Sequence, residues 1–196
     1  MLDFLRAWLF PSACAACDVA GPALCVACAP SLADALDFEI DGVPAFALGV
    51  YDDALRKAIV AMKRGERDPL DAFVELLVAR APVVGTLVPM PTSRRRAAAR
   101  GFDQSVEIAR RLALRRNLSC AHVLEKHGGA QAGLGRGARL AASGRFRVRR
   151  GVALPDRATL VDDVVTTGAT AADAIATLRA AGVRVRRIVA VARTAG

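Results

Sequence analysis

A segment near the carboxyl end of the chain combines acidic, hydroxyl and glycine residues in a pattern suited to a sugar phosphate. Residues 160–170 read LVDDVVTTGAT, so an apolar stretch that predicts a strand is followed by Asp162 and Asp163. Carboxylates repel a phosphate, but they accept hydrogen bonds from sugar hydroxyls, directly or through Mg²⁺. The acidic pair therefore indicates recognition of a diol.

The second half of the same segment indicates recognition of a phosphate. A predicted turn precedes a helix there, and the free N–H groups, hydroxyls and helix dipole at such a turn attract a phosphate monoester. Glycine at position 168 would let the backbone approach the ligand closely. A phosphate beside a diol describes a ribose 5-phosphate. The residues predicted to bind it are Asp162, Asp163, Val164, Thr166, Thr167, Gly168, Ala169 and Thr170.

A purely structural interpretation of this segment is also open. Thr170 and Asp173 have the spacing of a capping box, and the acidic pair could be a solvated strand end. A helix cap, however, requires neither two adjacent carboxylates nor three threonines around a glycine. The sequence contains no P-loop pattern, and Gly133, Gly135 and Gly137 lack the spacing of a dinucleotide-binding loop.

Four cysteines near the amino terminus have the spacing of a metal site. Cys14 and Cys17 form one CxxC turn, and Cys25 and Cys28 form a second one after seven intervening residues. Two such turns supply the four thiolates of a tetrahedral site, and Zn²⁺ suits a closed structural site of this kind. The alternatives are two disulfides, which a reducing cytosol disfavours, and a redox-active CxxC. Cys120 lies in an apolar run and is predicted to be a buried strand residue.

The first eleven residues, MLDFLRAWLFP, are apolar but differ from a secretory signal. Asp3 stands where such a signal has a basic cluster, and Arg6 interrupts an apolar run that is too short for one. No apolar stretch reaches the roughly 18 residues needed to span a bilayer. We therefore expect a cytoplasmic protein with a short amphipathic element at its start and no membrane insertion.

Positive charge is concentrated in the middle of the sequence. Residues 94–150 hold 15 basic side chains and 3 acidic ones, a net charge of +12, whereas the whole chain has a net charge of +9. Such a block is typical of a surface that binds polyanions, including nucleic acid. Because 25 of the 28 basic residues are arginine, an Arg-rich composition without any ligand explains the same numbers. The apolar content of 54% excludes disorder as the dominant state.

Periodicity predicts strands that alternate with helices. The predicted strands cover residues 45–51, 83–90, 158–161 and 183–192, with a further one ending at 123, and the predicted helices cover 53–63, 68–81, 102–116 and 170–181. This alternation predicts a mainly parallel α/β sheet flanked by helices, with a ligand site beyond the carboxyl ends of its strands. The acidic stretch 34–42 is predicted to be a loop. It divides a small cysteine-containing segment, residues 1–40, from a larger domain, residues 41–196.

Together these motifs resemble the ComF family, or competence-protein-F-like proteins, within the type I phosphoribosyltransferases. The segment from Asp162 to Thr170 is similar to the signature that binds phosphoribosyl pyrophosphate (PRPP) in that superfamily. The chain departs from the family at Asp103, where asparagine is usual. The resemblance extends over nearly the whole chain and is carried by the four cysteines, Tyr51, Leu55, Met62-Lys63-Arg64-Gly65, Val88-Pro89-Met90-Pro91, Arg100-Gly101-Phe102-Asp103-Gln104, Gln131-Ala132-Gly133-Leu134, Arg139 and Phe146.

The resemblance implies a type I phosphoribosyltransferase-like domain preceded by a small zinc-binding segment. The four cysteines would hold structural Zn²⁺, and Mg²⁺ would bind together with PRPP. Asp162 and Asp163 would be the catalytic pair that positions the ribose. Lys63 would approach the same site, or it would serve only as a favourable cation at the end of a helix.

The resemblance also implies that the loop after the strand at 83–90 wraps the pyrophosphate. Backbone N–H groups of Thr92 and Ser93 would contribute, together with the charge of Arg94 and its two neighbouring arginines, and Arg100 could supply the same charge. Arginine suits phosphate oxygens because its planar guanidinium donates two parallel hydrogen bonds. The alternative for the arginine run is a solvated basic turn.

The sequence leaves two functions of different classes open. The first is transfer of a phosphoribosyl group from PRPP, for which no residue stands out as an acceptor-binding group or a general base. The second is binding of PRPP or a nucleotide without turnover, in a protein that handles single-stranded DNA together with the DNA-uptake machinery. The family's association with natural competence implies this second role. The basic block supplies its electrostatics, although aromatic side chains for base stacking are scarce there.

Overall fold

A five-stranded sheet with helices on both faces forms the centre of the molecule. The structure is a computed structural model that describes residues 13–31, 33–92, 98, 101–126 and 144–195. Its strands are β1 (Leu36–Ile40), β2 (Val43–Val50), β3 (Thr86–Pro89), β4 (Leu124–Lys126), β5 (Phe146–Val148), β6 (Arg157–Val165) and β7 (Arg184–Arg193). Its helices are α1 (Asp53–Lys63), α2 (Arg67–Arg80), α3 (Gln104–Arg115) and α4 (Ala169–Ala180).

The sheet has the order β1-β2-β7-β6-β3. The strands β2, β7, β6 and β3 are parallel neighbours, and β1 adds an antiparallel edge through a hairpin with β2. The mainly parallel sheet predicted from the sequence is therefore confirmed. Because β3 and β6 run side by side, with Pro89 opposite Val161, the residues that follow both strands meet at one edge of the sheet. A separate antiparallel pair, β4 and β5, lies outside the main sheet.

Two apolar cores cover the two faces of the sheet. On one face α1, α2 and α3 pack against residues that include Phe46, Leu48 and Val189. On the other face α4 and the β4–β5 pair pack against residues that include Ala47 and Ile188. Successive residues of β2 enter opposite cores because side chains alternate along a strand. This two-sided burial fixes the strands that position the candidate site.

Two elements differ from the sequence-based predictions in ways that matter for the site. The predicted loop at 34–42 contains β1, in which Leu36, Phe38 and Ile40 are half-buried while Asp37 and Glu39 are exposed. The strand predicted for 158–161 continues to Val165, since its ladder with β7 extends that far. The division of the chain at residue 40 stays a prediction, and the β1–β2 hairpin crosses it.

Among the described residues, no helix is long and apolar enough to cross a bilayer.

Candidate functional site

Asp162 and Asp163 lie within the last four residues of β6, so these carboxylates come at the end of a strand, as predicted. The Oδ1 atom of Asp162 accepts hydrogen bonds from Ser105 Oγ (3.0 Å) and from the N–H of Asp163 (2.9 Å). The Oδ1 atom of Asp163 accepts one from the N–H of Val164 (2.8 Å). Strand geometry and the first turn of α3 therefore fix the orientation of both carboxylates.

The two carboxylates have different electrostatic surroundings. Burial, reinforced by the charge of Asp163, raises the pKa of Asp162 well above its usual value. The donors to Asp162 among the described residues are neutral. Asp163, by contrast, has its Oδ2 atom 2.6 Å from Nζ of Lys63, the last residue of α1, and these side chains are only 17% and 24% exposed. The pair thus consists of one carboxyl that resists ionisation and one that is neutralised by an ammonium group.

Gly168 connects the end of β6 to α4 and serves as the N-cap of that helix. Its φ of 78° lies in the left-handed region, which residues with a side chain rarely adopt. A Cβ atom added here would lie 3.2 Å from Cδ1 of Ile40 in β1. The space that a side chain would enter is therefore occupied by Ile40, so a substitution would meet β1 before it met a ligand.

The first turn of α4 presents backbone and hydroxyl donors next to this glycine. The first helical hydrogen bond runs from the N–H of Ala172 to the carbonyl of Gly168 (2.9 Å). The N–H groups before Ala172 are therefore not used in the hydrogen bonds of the helix itself. Thr166 and Thr167 are exposed. Because the N-cap is Gly168 and Thr170 is the second helical residue, the capping-box interpretation is wrong.

Arg145 lies beside the same turn. Its Nη1 donates to Oγ1 of Thr170 (2.8 Å), and its Nε lies 3.2 Å from the carboxylate of Asp173. A guanidinium at the amino end of a helix is unfavourable for the helix dipole. Its position adds to the positive potential of the turn.

The carboxylate pair and the first turn of α4 line one cavity of about 170 Å³. A second cavity, of about 240 Å³, shares Thr92, Asp103 and Lys126 with the first. The residues of the first cavity that bear on chemistry are Lys63, Thr92, Asp103, Lys126, Asp162, Asp163 and Thr170.

The structure describes only part of the predicted pyrophosphate loop. The N–H of Thr92 donates to Oδ2 of Asp103 (2.8 Å), which ties the start of this loop to the residue before α3. The other oxygen of Asp103 is buried and has no hydrogen-bond partner among the described residues. Ser93, Arg94 and Arg100 lie outside the described residues.

Two residues of this site were missed in the sequence analysis. Ser105 is only 4% exposed and donates to Asp162, while Lys126 lines the cavity from the end of β4. The sequence signal for Ser105 was weak, since a serine in a first helical turn is common. Lys126 could have been found as one of only three lysines in a chain with 28 basic residues.

The four cysteines form a compact group at the amino end of the described chain. The Sγ atoms of Cys14, Cys17, Cys25 and Cys28 all lie within 4.8 Å of one another, and those of Cys17 and Cys25 are 3.7 Å apart. Metal–sulfur bonds of about 2.3 Å in a tetrahedron place the sulfurs about 3.8 Å apart, whereas a disulfide needs about 2.05 Å. The group therefore fits one tetrahedral metal ion, and the disulfide alternative is wrong for this geometry.

The electrostatics of the cysteine group also call for a cation. Burial raises the pKa of Cys14, but hydrogen bonds from the N–H groups of Cys25, Ala16 and Cys17 outweigh it and lower the pKa to about 6. Contacts with the thiol groups of Cys17 and Cys25 raise the pKa of Cys28 to about 12. Four adjacent thiols cannot all ionise unless a positive charge lies between them, and a metal ion supplies that charge.

The cysteine segment is attached to the sheet by apolar and polar contacts. Leu24 belongs to the core that contains α1. The carbonyl of Pro30 accepts a hydrogen bond from Nη1 of Arg80 (2.6 Å) at the end of α2. Cys120 does not belong to this group. It is half-buried, and not fully buried as predicted, and it forms an isolated parallel bridge with Leu87 outside the named strands.

Comparison with solved structures gives likenesses of low identity, among them two phosphoribosyltransferases. No protein-family model and no curated protein matches the chain. The chain is similar to orotate phosphoribosyltransferase from Aeropyrum pernix, with a TM-score of 0.45 and 18% identity over 81% of this chain and 75% of that one. It is also similar to adenine phosphoribosyl transferase from Trypanosoma brucei in complex with AMP, pyrophosphate and ribose-5-phosphate, with a TM-score of 0.40 and 16% identity over 74% and 71%. At these values we draw no conclusion from either likeness about what this chain binds.

Proposed function

We propose that the chain binds PRPP or a 5-phosphoribosyl nucleotide at the carboxyl end of β6. The ribose hydroxyls would contact Asp162 and Asp163, and the 5-phosphate would lie at the turn that begins α4. The observation that carries this proposal is that the two carboxylates and Thr170 line the same cavity. Carboxylates and a helix amino terminus prefer opposite kinds of ligand group, and a sugar phosphate provides both kinds.

The hydrogen bonds of the site support the assignment of the ribose to the carboxylates and of the phosphate to the turn. Oδ1 of Asp162 already accepts from Ser105 and from the backbone, so Oδ2 is the atom that would meet a ribose hydroxyl. The exposed hydroxyls of Thr166 and Thr167 would add donors for the phosphate.

The proposal includes Mg²⁺ because the site offers two carboxylates that could bind this ion. Mg²⁺ in phosphate-binding sites takes one or two protein carboxylates and completes its shell with phosphate oxygens and water. Asp162 and Asp163 line one cavity and meet that requirement. When bound, the ion would reduce the negative charge of a diphosphate next to these carboxylates.

Phosphoribosyl transfer is the reaction that such a site would support. The bond from the anomeric carbon to pyrophosphate would break with its electron pair leaving on the pyrophosphate, and an acceptor would form the new bond to that carbon. The protein's contribution would be electrostatic stabilisation of the departing charge. Release of pyrophosphate from PRPP, measured with candidate amines and bases as acceptors, tests this activity.

The alternative, a single-stranded DNA-binding role linked to competence, has less support. Several arginines of the basic block are engaged within the molecule, since Arg111 contacts Asp71 and Arg115 contacts Glu75 on α2. Arg147 of β5 contacts Glu125 of β4. The proposed membership of the ComF family would make this role relevant.

For the cysteine group we propose a structural Zn²⁺ ion. Four thiolates favour a closed tetrahedral site, and Zn²⁺ prefers that geometry. Protein purified without added metal is expected to contain about one Zn²⁺ per chain, and chelation is expected to lower its melting temperature. Folded, metal-free protein with an unchanged melting temperature would contradict this proposal.

Calorimetric titration with PRPP and with ribose 5-phosphate, with and without Mg²⁺, tests the proposed ligand. The double substitution Asp162→Asn/Asp163→Asn is expected to weaken binding of both ligands at least about tenfold, because charged hydrogen bonds are lost. The chain offers a matched control in its other adjacent aspartates, Asp52 and Asp53, which are exposed. Their replacement by asparagine should leave binding unchanged. Equal affinity in the Asp162/Asp163 variant would contradict the proposal.

A further inference from the structure

Lys63 brings an ammonium group directly against the carboxylate pair from a different element of the fold. It is the last residue of α1, and its Nζ lies 2.6 Å from Oδ2 of Asp163 in the cavity that also contains Asp162 and Thr170. Its side chain is only 24% exposed. A long, charged side chain that is held in a cavity loses rotamer freedom and hydration, so its position calls for an explanation.

The residue type is unusual for this chain. Of 28 basic residues only three are lysine, at positions 57, 63 and 126, and two of these three line the cavity. Arginine has a planar fork that favours one fixed partner, whereas lysine carries a compact charge on a flexible stem with three rotatable donors. A lysine can therefore exchange one oxygen partner for another without moving the backbone.

The ion pair conflicts with the role proposed for Asp163. While Oδ2 of Asp163 is paired with Lys63, that atom cannot also accept a hydrogen bond in the same direction from a ribose hydroxyl. A diphosphate in this cavity would also lie near two aspartate side chains, and like charges at that range repel strongly in a partly desolvated space. Both difficulties are relieved if the ammonium group moves from the carboxylate to the phosphate.

We infer that Lys63 is a diphosphate-binding residue, which pairs with Asp163 when no ligand is bound and contacts the diphosphate when the ribose engages Asp163. This inference rests on the proposed function and adds a binding residue to it. It differs from a structural role for the ion pair in a measurable way. In a structural role, removal of Asp163 would only disturb Lys63, whereas here it releases Lys63 for the ligand.

The test is calorimetric titration of inorganic pyrophosphate, and separately of ribose 5-phosphate, into four variants without Mg²⁺ and again with it. Lys63→Met is expected to weaken pyrophosphate binding about ten- to hundredfold, the effect of one charged hydrogen bond, and to change ribose 5-phosphate binding much less. Without Mg²⁺, for which Asp163 is a proposed ligand, Asp163→Asn is expected to bind pyrophosphate at least as tightly as the wild type. The double variant Lys63→Met/Asp163→Asn is expected to bind it as weakly as Lys63→Met. Lys57→Met, on the exposed face of the same helix, is the matched control and should match the wild type.

The double variant keeps the test valid if Lys63→Met is poorly folded, because it removes both members of the ion pair. Equal pyrophosphate affinity in Asp163→Asn and in the double variant would overturn the inference. Unchanged affinity in Lys63→Met would do the same. If the wild type binds pyrophosphate through Lys63 but does not bind ribose 5-phosphate, the proposed function fails, and only the assignment of Lys63 to diphosphate binding stands. If the wild type binds neither ligand, both are wrong.

Discussion

Asp162 and Asp163 are adjacent in β6, but different neighbours determine the charge of each. Asp162 faces neutral donors and the charge of Asp163, and its pKa is raised. Asp163 faces the ammonium group of Lys63. In the ligand-free protein the first carboxyl should therefore oppose stability when it ionises, and the second should support it. The two positions can be separated by single substitutions.

Asp162→Asn is expected to increase the free energy of unfolding of the ligand-free protein at neutral and alkaline pH. The asparagine keeps an oxygen that accepts from Ser105, and it removes a buried charge. Because the folded-state pKa of Asp162 is raised above an unfolded value of about 3.9, the wild type loses stability as pH rises through the folded pKa. The advantage of the variant should thus disappear below about pH 4. Urea unfolding at a series of pH values checks this, and a variant less stable than the wild type at pH 8 would contradict it.

Asp163→Asn is expected to decrease the free energy of unfolding, by about 1–3 kcal/mol, because it leaves the half-buried Lys63 without its partner. Adding Lys63→Met to this variant should restore part of that loss. The same urea experiment at pH 7 provides the measurement. Equal stability of Asp162→Asn and Asp163→Asn would show that the two positions do not differ in the way described.

At the scale of elements, the turn between β6 and α4 depends on its glycine for two reasons. Gly168 has a positive φ, and the space for its side chain is filled by Ile40. Gly168→Ala is expected to lower the free energy of unfolding by about 1–3 kcal/mol, the cost of left-handed backbone plus the contact. Gly182 after α4 has a similar φ of 84° with nothing within 4 Å of the added Cβ.

Gly182→Ala therefore isolates the cost of the backbone conformation. Thermal unfolding of both variants should show a larger decrease in Tm for Gly168→Ala, and the difference measures the contact with Ile40. Addition of Ile40→Ala to Gly168→Ala should reduce that difference. If the two glycine variants lose equal stability, packing against β1 has no role in holding the turn.

The elements themselves were largely predictable, and their ends less so. The helix at 53–63 was predicted with its observed ends because its apolar residues repeat at helical spacing and a glycine follows it. The strand β1 was predicted as a loop because its segment is rich in acidic residues. The alternation of Leu36, Phe38 and Ile40 with the two acidic residues is the signal of a strand that is buried on one face. The last residues of β6 are strand because they pair with β7. That pairing is a tertiary contact, and the local sequence does not specify it.

The candidate site was predictable in its composition but not in its contacts. The acidic pair, the threonines and the glycine are contiguous in the sequence, so their chemistry could be inferred directly. The partners of the carboxylates come from α1 and α3, through Lys63 and Ser105. Nothing in local periodicity specifies which distant side chains will meet at a sheet edge. The sequence could therefore suggest that Lys63 approaches the site, but not that it pairs with Asp163.

At the scale of the whole molecule, the basic block is partly neutralised by acidic side chains outside it. Arg111 and Arg115 of α3 contact acidic residues of α2. If the chain binds single-stranded DNA, we expect the arginine run at 94–96 to contribute more than these paired residues. Replacement of all three by glutamine should reduce the slope of log affinity against log salt concentration by about two for single strands.

The matched control for this prediction is the double variant Arg111→Gln/Arg115→Gln. It should lower the melting temperature, since contacts between α2 and α3 are lost, and leave the salt dependence of DNA binding unchanged. Fluorescence anisotropy with a labelled oligonucleotide at several salt concentrations measures the slope. Unchanged binding in the triple variant would mean that the block reflects an arginine-rich composition.

We expect the hairpin strand β1 to make the proposed binding of metal and of sugar phosphate interdependent. It begins eight residues after Cys28, and its last residue, Ile40, lies against the turn at Gly168. If loss of the metal loosens β1, the affinity for ribose 5-phosphate should fall, and by thermodynamic reciprocity the bound sugar phosphate should raise the affinity for the metal by the same factor. Chelator titrations with and without ribose 5-phosphate measure both sides of this cycle. In Ile40→Ala the two equilibria should become independent. Ribose 5-phosphate should then leave the affinity for the metal unchanged.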